Sequence, residues 1–433
     1  MYVTVSLKIE VDATATLSQL EQQIQAAGRE AMKEALKQAI RAVEEQPICL
    51  ECGSEHLRTQ GTRRRVLLTS FGRVEVPLKR LRCQKCRRLL RPADACLEEI
   101  RGSNVTPDLR ELAALVGCSW PYETATHVLK RLSGVCLSDE RLRQLTNEQG
   151  TVLAKQQQEQ AQQILKEAIT LQTIRNQRAR EPHEPRLEAA EWLQAGLDGG
   201  WIPSREQKGG MEGKIGVVAS QVTPVGKRGR HRLTRRRYVA SFGSAEEIGQ
   251  LAYAAAWELH ATEAKQQVVL GDGAEWIKQQ ADEHFPDAVK ILDWPHLFRK
   301  VRDAVRALQP GKRAERRAWR KEQYDLLFPS LWQGQREQAL VHLRSLRPPQ
   351  GEAPAAFEDA VQYLETQRDW LGDSQTWKEQ GYPVGSGMVE RAVAVVINRR
   401  MKKRGMRWKR ANATAVVALR VQQINAEWDA APA

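Results

Sequence analysis

Two cysteine pairs constrain this chain more than any other feature. Cys49-Leu-Glu-Cys52 and Cys83-Gln-Lys-Cys86 stand 30 residues apart. Each pair puts two thiolates on one tight turn, and two such turns supply the closed tetrahedral Cys₄ set that structural zinc takes. Between them Arg65–Leu68 and Val74–Leu78 read as strands, with a turn at Phe71-Gly72. The spacing predicts a zinc ribbon over residues 47–98, a hairpin too small for its own core and folded by the metal. Two redox CxxC motifs, or unliganded buried thiols, form the competing reading. Cys96, Cys118 and Cys136 lack ligand spacing and are expected as buried apolar residues.

Lys and Arg number 67 against 53 Asp and Glu, a net charge of +14 over 433 residues. That excess makes nucleic acid the first partner to consider. No run of about 18 uncharged apolar residues occurs, which excludes a membrane-spanning helix. Lys8 and Glu10 interrupt any export-signal core at the start. Seven cysteines without such a signal point to a reducing cytoplasm.

The texture of the chain changes six times. Residues 1–46 read as a strand, Tyr2–Val11, and a long helix with a stripe from Leu17 to Val43. That helix either packs on its own domain or mediates dimerisation. After the ribbon, residues 99–150 read as three short helices in a helix-turn-helix-like DNA-binding region. Thr106-Pro107 opens the first, Gly117 and Gly134 are stop signals, and Asp139–Thr146 is the third. Residues 151–186 form a glutamine-rich linker helix ending near Arg180-Glu181-Pro182. From 187 to 296 the pattern is α/β, with strand-like runs at Leu193–Leu197, Lys214–Val222, Tyr238–Phe242, Gln267–Leu270 and Val289–Leu292. A helical stretch, Ala245–Ala261, separates the third and fourth. Residues 297–383 are helical and carry Trp319, Trp332, Trp370 and Trp377. Residues 384–426 are a last helix from Gly387 to about Asn425, broken near Gly405.

Three acids stand in glycine-flanked apolar sequence. Asp198 follows Leu193–Leu197 and precedes Gly199-Gly200; Asp272 follows Val268-Val269-Leu270-Gly271 and precedes Gly273. An Asp at the end of a buried strand presents a carboxylate to a hard cation. Glu390 lies one residue too late to complete a capping box with Ser386. It falls at the margin of the apolar face Val389, Ala392, Val393, Val396 and Ile397, where a half-buried carboxylate needs a partner. Singly, each acid also fits a turn or a helix start. Together they fit a two-ion site for in-line attack on a phosphodiester, and spacing alone equally allows a single ion.

At these residues the chain resembles the DDE transposases of bacterial insertion sequences, most closely the ISKra-type group and its relatives. The resemblance rests on Gly271-Asp272-Gly273-Ala274-Glu275-Trp276-Ile277, Ile291-Leu292-Asp293-Trp294-Pro295-His296-Leu297 and Pro383-Val384-Gly385-Ser386-Gly387-Met388-Val389-Glu390. It continues in Arg400-Met401-Lys402-Lys403-Arg404-Gly405-Met406-Arg407-Trp408, and Phe71-Gly72-Arg73-Val74 fits in the first half. It covers about residues 47–425. It implies an RNase H-like core in two parts, 187–296 and 384–426, with an all-α insertion at 297–383. Asp198, Asp272 and Glu390 would be the triad holding two Mg²⁺ or Mn²⁺ ions. Asp293-Trp-Pro-His296 matches the family's Asp-x-x-His signature, so His296 would sit near the scissile phosphate; a surface histidine at a helix start is the plain alternative. The segment around Asp198 is less distinctive than the other two.

A charge run alone fits a solvated face, but several basic clusters around a carboxylate site read better as a phosphate track. The hairpin carries Arg63, Arg64, Arg65, Lys79, Arg80 and Arg82. Lys227–Arg237, read as a hairpin loop, includes Lys227, Arg228, Arg235 and Arg236. Lys312–Lys321 includes Arg316 and Arg317 beside Trp319, and Arg399–Arg410 includes Lys402, Lys403, Arg404 and Arg407. Trp319 fits the core better than a stacking platform. The expected protein is a transposase of the bacterial nucleoid. It would bind terminal inverted repeats as a dimer or larger, cleave strands, and join 3′-hydroxyls to target DNA. A non-catalytic zinc-ribbon DNA-binding protein or transposase relic is the alternative, and a nuclease without strand transfer is a third.

Overall fold

The computed structural model describes residues 2–45, 48–177, 190–225, 230–308, 312, 315–348 and 352–426. The chain is mixed α/β and divides into two units, 1–149 and 150–433.

In the first unit, helix α1 (Leu17–Val43) opens with a capping box. The Gln19 N–H donates to Thr16 Oγ1 at 3.4 Å, and the Thr16 N–H donates to Gln19 Oε1 at 2.8 Å. Its inner face, Leu36 and Ile40, packs on its own domain against Leu67, Val74, Val76, Ala93 and Leu97. Tyr2–Val11 is not a strand: its alternation finds no pairing partner among the described residues, and an unpaired edge has nothing to hold it extended. Strands β1 (Leu57–Thr69) and β2 (Gly72–Cys83) form a hairpin closing on Thr69↔Gly72, longer at both ends than the expected strands. Gly72 sits at φ 122°, a backbone position that glycine adopts without strain. The short β3 (Leu89–Leu90) completes a three-stranded sheet, and a 3₁₀ turn, Pro92–Ile100, covers its apolar face.

Helices α2 (Pro107–Ser119) and α3 (Tyr122–Ser133) follow, and α3 ends on Gly134 at φ 76°. Gly117 is no stop. It lies inside α2, where a Cβ would meet Thr146 Oγ1 at 2.0 Å, so it permits a close helix crossing. The expected third short helix and the linker are one element, α4 (Asp139–Gln177). With neither Pro nor a left-handed glycine between Thr146 and Gln156, nothing ends it. The expected linker end near Arg180 lies outside the described residues. Cys118 is buried as expected, but Cys96 and Cys136 are exposed. A lone thiol is small enough to be left at the surface at little cost.

The second unit is built on a five-stranded sheet of order β6-β5-β4-β7-β8. Its strands are β4 (Trp192–Ile202), β5 (Met211–Val225), β6 (Arg230–Ser241), β7 (Gln266–Gly271) and β8 (Val289–Leu292). The first three form an antiparallel meander; β4, β7 and β8 are parallel. Residues 230–237 are therefore strand, not loop: Arg235, Arg236 and Arg237 pair with Gln221, Ala219 and Val218 of β5. On an edge strand the backbone satisfies the ladder while long basic side chains still reach water. Lys227 and Arg228 lie outside the described residues.

Helices α5 (Ala245–Glu258), α6 (Glu275–His284) and α7 (Trp294–Leu308) pack on the face of β4 that carries Leu193, Ala195 and Leu197. Next come α8 (Glu315–Trp332), α9 (Arg336–Ser345), α10 (Ala355–Thr366) and α11 (Ser374–Glu379), the helical region expected at 297–383. Phe328 packs on Trp294, Phe298 and Tyr324, and Trp370 is buried in the same core. Trp319 packs against that core, as expected. The chain then returns as α12 (Gly387–Ala392), a π-helical segment Val393–Asn398, α13 (Arg399–Met401) and α14 (Arg410–Ile424). The break spans Lys402–Lys409, where Gly405 has φ 81°. Among the described residues no helix is long and apolar enough to cross a membrane.

Candidate functional site

Strand register brings three acids level. Gly196 of β4 pairs with Leu270 of β7, so Asp198 and Asp272 lie two residues beyond one register pair, on the same face. Gly271 pairs with Leu292 of β8, so Asp272 and Asp293 are likewise level; the Asp293 N–H donates to the Gly271 carbonyl at 2.8 Å. Neighbouring strands lie about 4.8 Å apart. Three carboxyl-bearing residues therefore sit side by side at the carboxyl ends of parallel strands, where ligands of open α/β sheets bind.

That face lies under the returning helix. A Cβ on Gly196 would meet Met388 and Val389, and one on Gly200 would meet Val393 and Ile397. Asp198 stands between these glycines, both of which have lost their side chains to let the helix down onto β4. Val389, Ala392, Val396 and Ile397 are buried, as the apolar periodicity predicts.

Each acid has a different environment. The Asp198 carboxylate accepts the Gly199 N–H at 2.7 Å. Burial, with the charge of Asp272 adding to it, outweighs that bond and pushes Asp198 up to about 6. Asp272 accepts the Ala274 N–H at 2.9 Å. Its turn is held by α10: the Tyr363 hydroxyl donates to the Asp272 carbonyl at 2.6 Å, and Gln367 Nε2 donates to the Gly273 carbonyl at 2.9 Å. Gly273 has φ 85° with Gln367 pressed against it, which leaves no room for a side chain.

Asp293 is fully buried. It accepts the Ser386 N–H at 2.6 Å and the His296 N–H at 3.1 Å, and it meets the His296 ring at Nδ1. Burial would raise its pKa, but those bonds hold it below the usual carboxylate value. The hydrogen bond to Asp293 in turn raises His296 against its partial burial, and the charges of Asp272 and Asp198 add to that. His296 is thus no free surface residue.

Glu390 departs from expectation. It is exposed, and its carboxylate accepts the Ser386 hydroxyl at 3.5 Å. Ser386 is the N-cap of α12 but makes no side-chain cap; its N–H is turned toward Asp293 instead. The charges acting on Asp198 are those of Asp272, His296 and Asp293. Glu390 connects to them through Ser386 and Asp293. Two residues that sequence reasoning left out of the site, Asp293 and Tyr363, organise it. Asp293 was legible in the Asp-x-x-His motif; Tyr363 had no local signal.

The four cysteines converge in the first unit. Cys49 Sγ lies 3.5 Å from Cys86 Sγ and Cys52 Sγ lies 3.6 Å from Cys83 Sγ, with all four sulfurs within 4.8 Å of one another. Tetrahedral zinc with Zn–S near 2.3 Å requires an edge of about 3.8 Å, so the set fits the ion. Gly53 and Arg87, each just after the second cysteine of its pair, share left-handed backbone at φ 64° and 62°. The Cys86 N–H points at Cys83 Sγ at 3.5 Å and draws that thiol down to about 6, toward the thiolate a metal binds. Among the described residues this is the one set of three or more potential ligands so close together. The carboxylates of the second unit stand further apart.

Basic residues fall on several elements. Arg64 lies on the outer face of β1 beside Glu75 at 3.3 Å, whereas Arg63 and Arg65 share the face of Leu67. Arg235 is exposed on β6, and Arg236 stacks on Tyr238 at 5.6 Å. Arg316 and Arg317 lie in the first turn of α8. Lys402, Lys403 and Arg404 are exposed in the break before α14, and Arg407 Nε donates to the Ser204 carbonyl at 3.1 Å. Because the Trp408 N–H donates to Pro203 O at 3.0 Å, that basic loop is fastened just past the end of β4.

Residues 7–430 match UPF0236, an uncharacterised protein family, and the chain belongs to it. No curated protein matches the chain. A solved structure titled "Drosophila P element transposase strand transfer complex" is similar at 10% identity, over 77% of this chain and 83% of that one, with a TM-score of 0.22, too slight a likeness to carry any argument.

Proposed function

We propose that this protein is a DNA transposase of the DDE type, with an RNase H-like core in its second unit and a zinc ribbon in its first. The observation that carries the reading is the level row of Asp198, Asp272 and Asp293 on one sheet face, with His296 beside it and the Glu390 helix above. Asp198, Asp272 and Glu390 would hold Mg²⁺ or Mn²⁺. Bound there, two ions would supply an activated hydroxyl and stabilise the leaving oxygen in attack on a phosphodiester. Ions about 4 Å apart, with oxygen ligands near 2 Å, accept carboxylates up to about 8 Å apart, so tight convergence of all three acids is not required.

The chain's own groups do the rest. Asp198, half-buried beside Asp272, is poised to lose its proton to a cation's field. Tyr363 and Gln367 fix the Asp272 turn. Asp293 orients His296, whose raised basicity suits a charged donor to a phosphate oxygen. The exposed Arg235, Lys402, Lys403 and Arg404, with Arg316 and Arg317 of α8, would follow the DNA backbone. Cys49, Cys52, Cys83 and Cys86 would hold zinc and fix the hairpin. Terminal-repeat binding would fall to the first unit, and cutting two ends together implies a dimer or larger on DNA. The ISKra-type grouping and action at the nucleoid belong to this reading.

The exposure of Glu390 favours one alternative, a DNA-binding relic without catalysis. The deciding experiment is Mg²⁺-dependent nicking of a labelled duplex carrying the element's end. Wild type should nick and join, and Asp272→Asn should lose about two orders of magnitude or more, as direct ligands exceed second-sphere effects. Equal activity in both would remove Asp272 from the mechanism, and none in either would leave the relic.

A further inference from the structure

One face of the hairpin changes character along its length. Val74, Val76 and Leu78 of β2 and Leu67 of β1 are apolar, and the same face continues into Arg80, Arg63 and Arg65 toward the cysteine end. There the hairpin, the 3₁₀ turn, α2 and the start of α4 enclose a cleft of about 810 Å³. Eight Arg and Lys side chains line it against three carboxylates, Asp94, Glu98 and Glu148. Two of the acids already have partners: Asp94 faces Arg91 at 3.8 Å and Glu98 faces Arg101 at 3.1 Å. Arg65 is satisfied by the Ile100 and Ser103 carbonyls at 2.7 and 2.9 Å and serves as a wall.

Arg80 and Arg110 differ. Each points from its own element, β2 and α2, into the same cleft, and each has a buried Nε with no hydrogen-bond partner. A buried guanidinium donor without an acceptor is costly, and such a group is retained where a ligand completes it. We propose that this cleft is a phosphate-binding site in which Arg80 and Arg110 grip a phosphate from two sides. Guanidinium forks match the paired oxygens of phosphate, and a cleft lined by one sign of charge concentrates its field. Lys79 and Arg141 line the same cleft and add charge to it. The proposal rests on the DNA-binding reading only for the source of the phosphate, a nucleic-acid backbone or a free polyphosphate.

The test uses the full, zinc-loaded chain and a labelled duplex of roughly 20 base pairs of arbitrary sequence, followed by anisotropy across a salt series. Each phosphate neutralised adds about 0.9 to the slope of log K against log salt, so Arg80→Gln with Arg110→Gln, which releases the one phosphate they grip, should lower it by about 0.9. Arg80→Lys with Arg110→Lys should keep more of the slope than the glutamine pair. Lys155→Gln with Lys265→Gln, an equal charge change on the other unit, should leave the slope unchanged. In a second arm, inorganic pyrophosphate should raise the melting temperature of wild type and not of the glutamine pair. Should that pair lose zinc, arginine modification by phenylglyoxal replaces it: duplex or pyrophosphate should shield Arg80 and Arg110 in wild type. An unchanged slope in a folded double variant, or no shielding, overturns the cleft while the DNA reading stands. Shielding by pyrophosphate with no duplex binding overturns the DNA reading and keeps the cleft. Equal competition by polyglutamate would reduce the site to a nonspecific anion patch and overturn the proposal.

Discussion

Replacing Asp198 by Asn should stabilise the metal-free protein at neutral pH. The carboxyl titrates near 3.8 in an unfolded chain and is pushed to about 6 in the fold by burial and by Asp272. Between those values the folded state binds more protons than the unfolded one, so stability falls as pH rises through the window from about 4 to 6. At about 1.4 kcal/mol per pH unit, the ionised side chain costs at most about 3 kcal/mol above pH 6. Partial exposure and the share carried by Asp272 reduce this to about 1–2 kcal/mol. Asn keeps an oxygen for the Gly199 N–H and removes the charge. In chelator at pH 8 the variant should melt about 3–6 °C above wild type, with the gap narrowing to about a third by pH 4.5. Magnesium should raise wild type at pH 8 and leave the variant nearly unmoved. Scanning calorimetry at the two pH values decides it: a variant melting at or below wild type at pH 8 in chelator refutes the electrostatic argument, whatever the activity.

Other outcomes follow from the same geometry. Metal analysis should find about one zinc per chain, and Cys83→Ser with Cys86→Ser should lose it together with the hairpin's cooperative melting, since binding and folding are coupled there. Asp293→Asn should bring the His296 titration, followed by NMR, back toward the ordinary histidine value. The wild-type pair stabilises the fold below the unfolded histidine pKa, and that contribution is lost as pH rises through the raised one. Gly150→Ala places a Cβ 2.2 Å from the Ala415 carbonyl, backbone that cannot rotate away, and should cost about 1–3 kcal/mol in urea denaturation.

Whatever depends on local spacing is legible along the chain. Two CxxC turns thirty residues apart with a hairpin between them leave the four sulfurs few other places to go. The apolar face from Val389 to Ile397, the strand runs at 193–197 and 289–292 and the break at Gly405 are likewise written in periodicity and punctuation. Where local signals failed, the missing information was the presence or absence of a partner. Tyr2–Val11 alternates but pairs with none of the described residues, and the basic run after β5 is strand because β5 lies beside it. The neighbourhood of the acids comes from packing alone. Asp198, Asp272 and Asp293 become level through the register of three parallel strands, whereas Glu390 is exposed on the returning helix and reaches Asp293 through Ser386. Tyr363, ninety-one residues from the carbonyl it holds, enters by the packing of α10. Sequence sets which faces are apolar; the register and the helix placement that those faces then adopt set which charges meet.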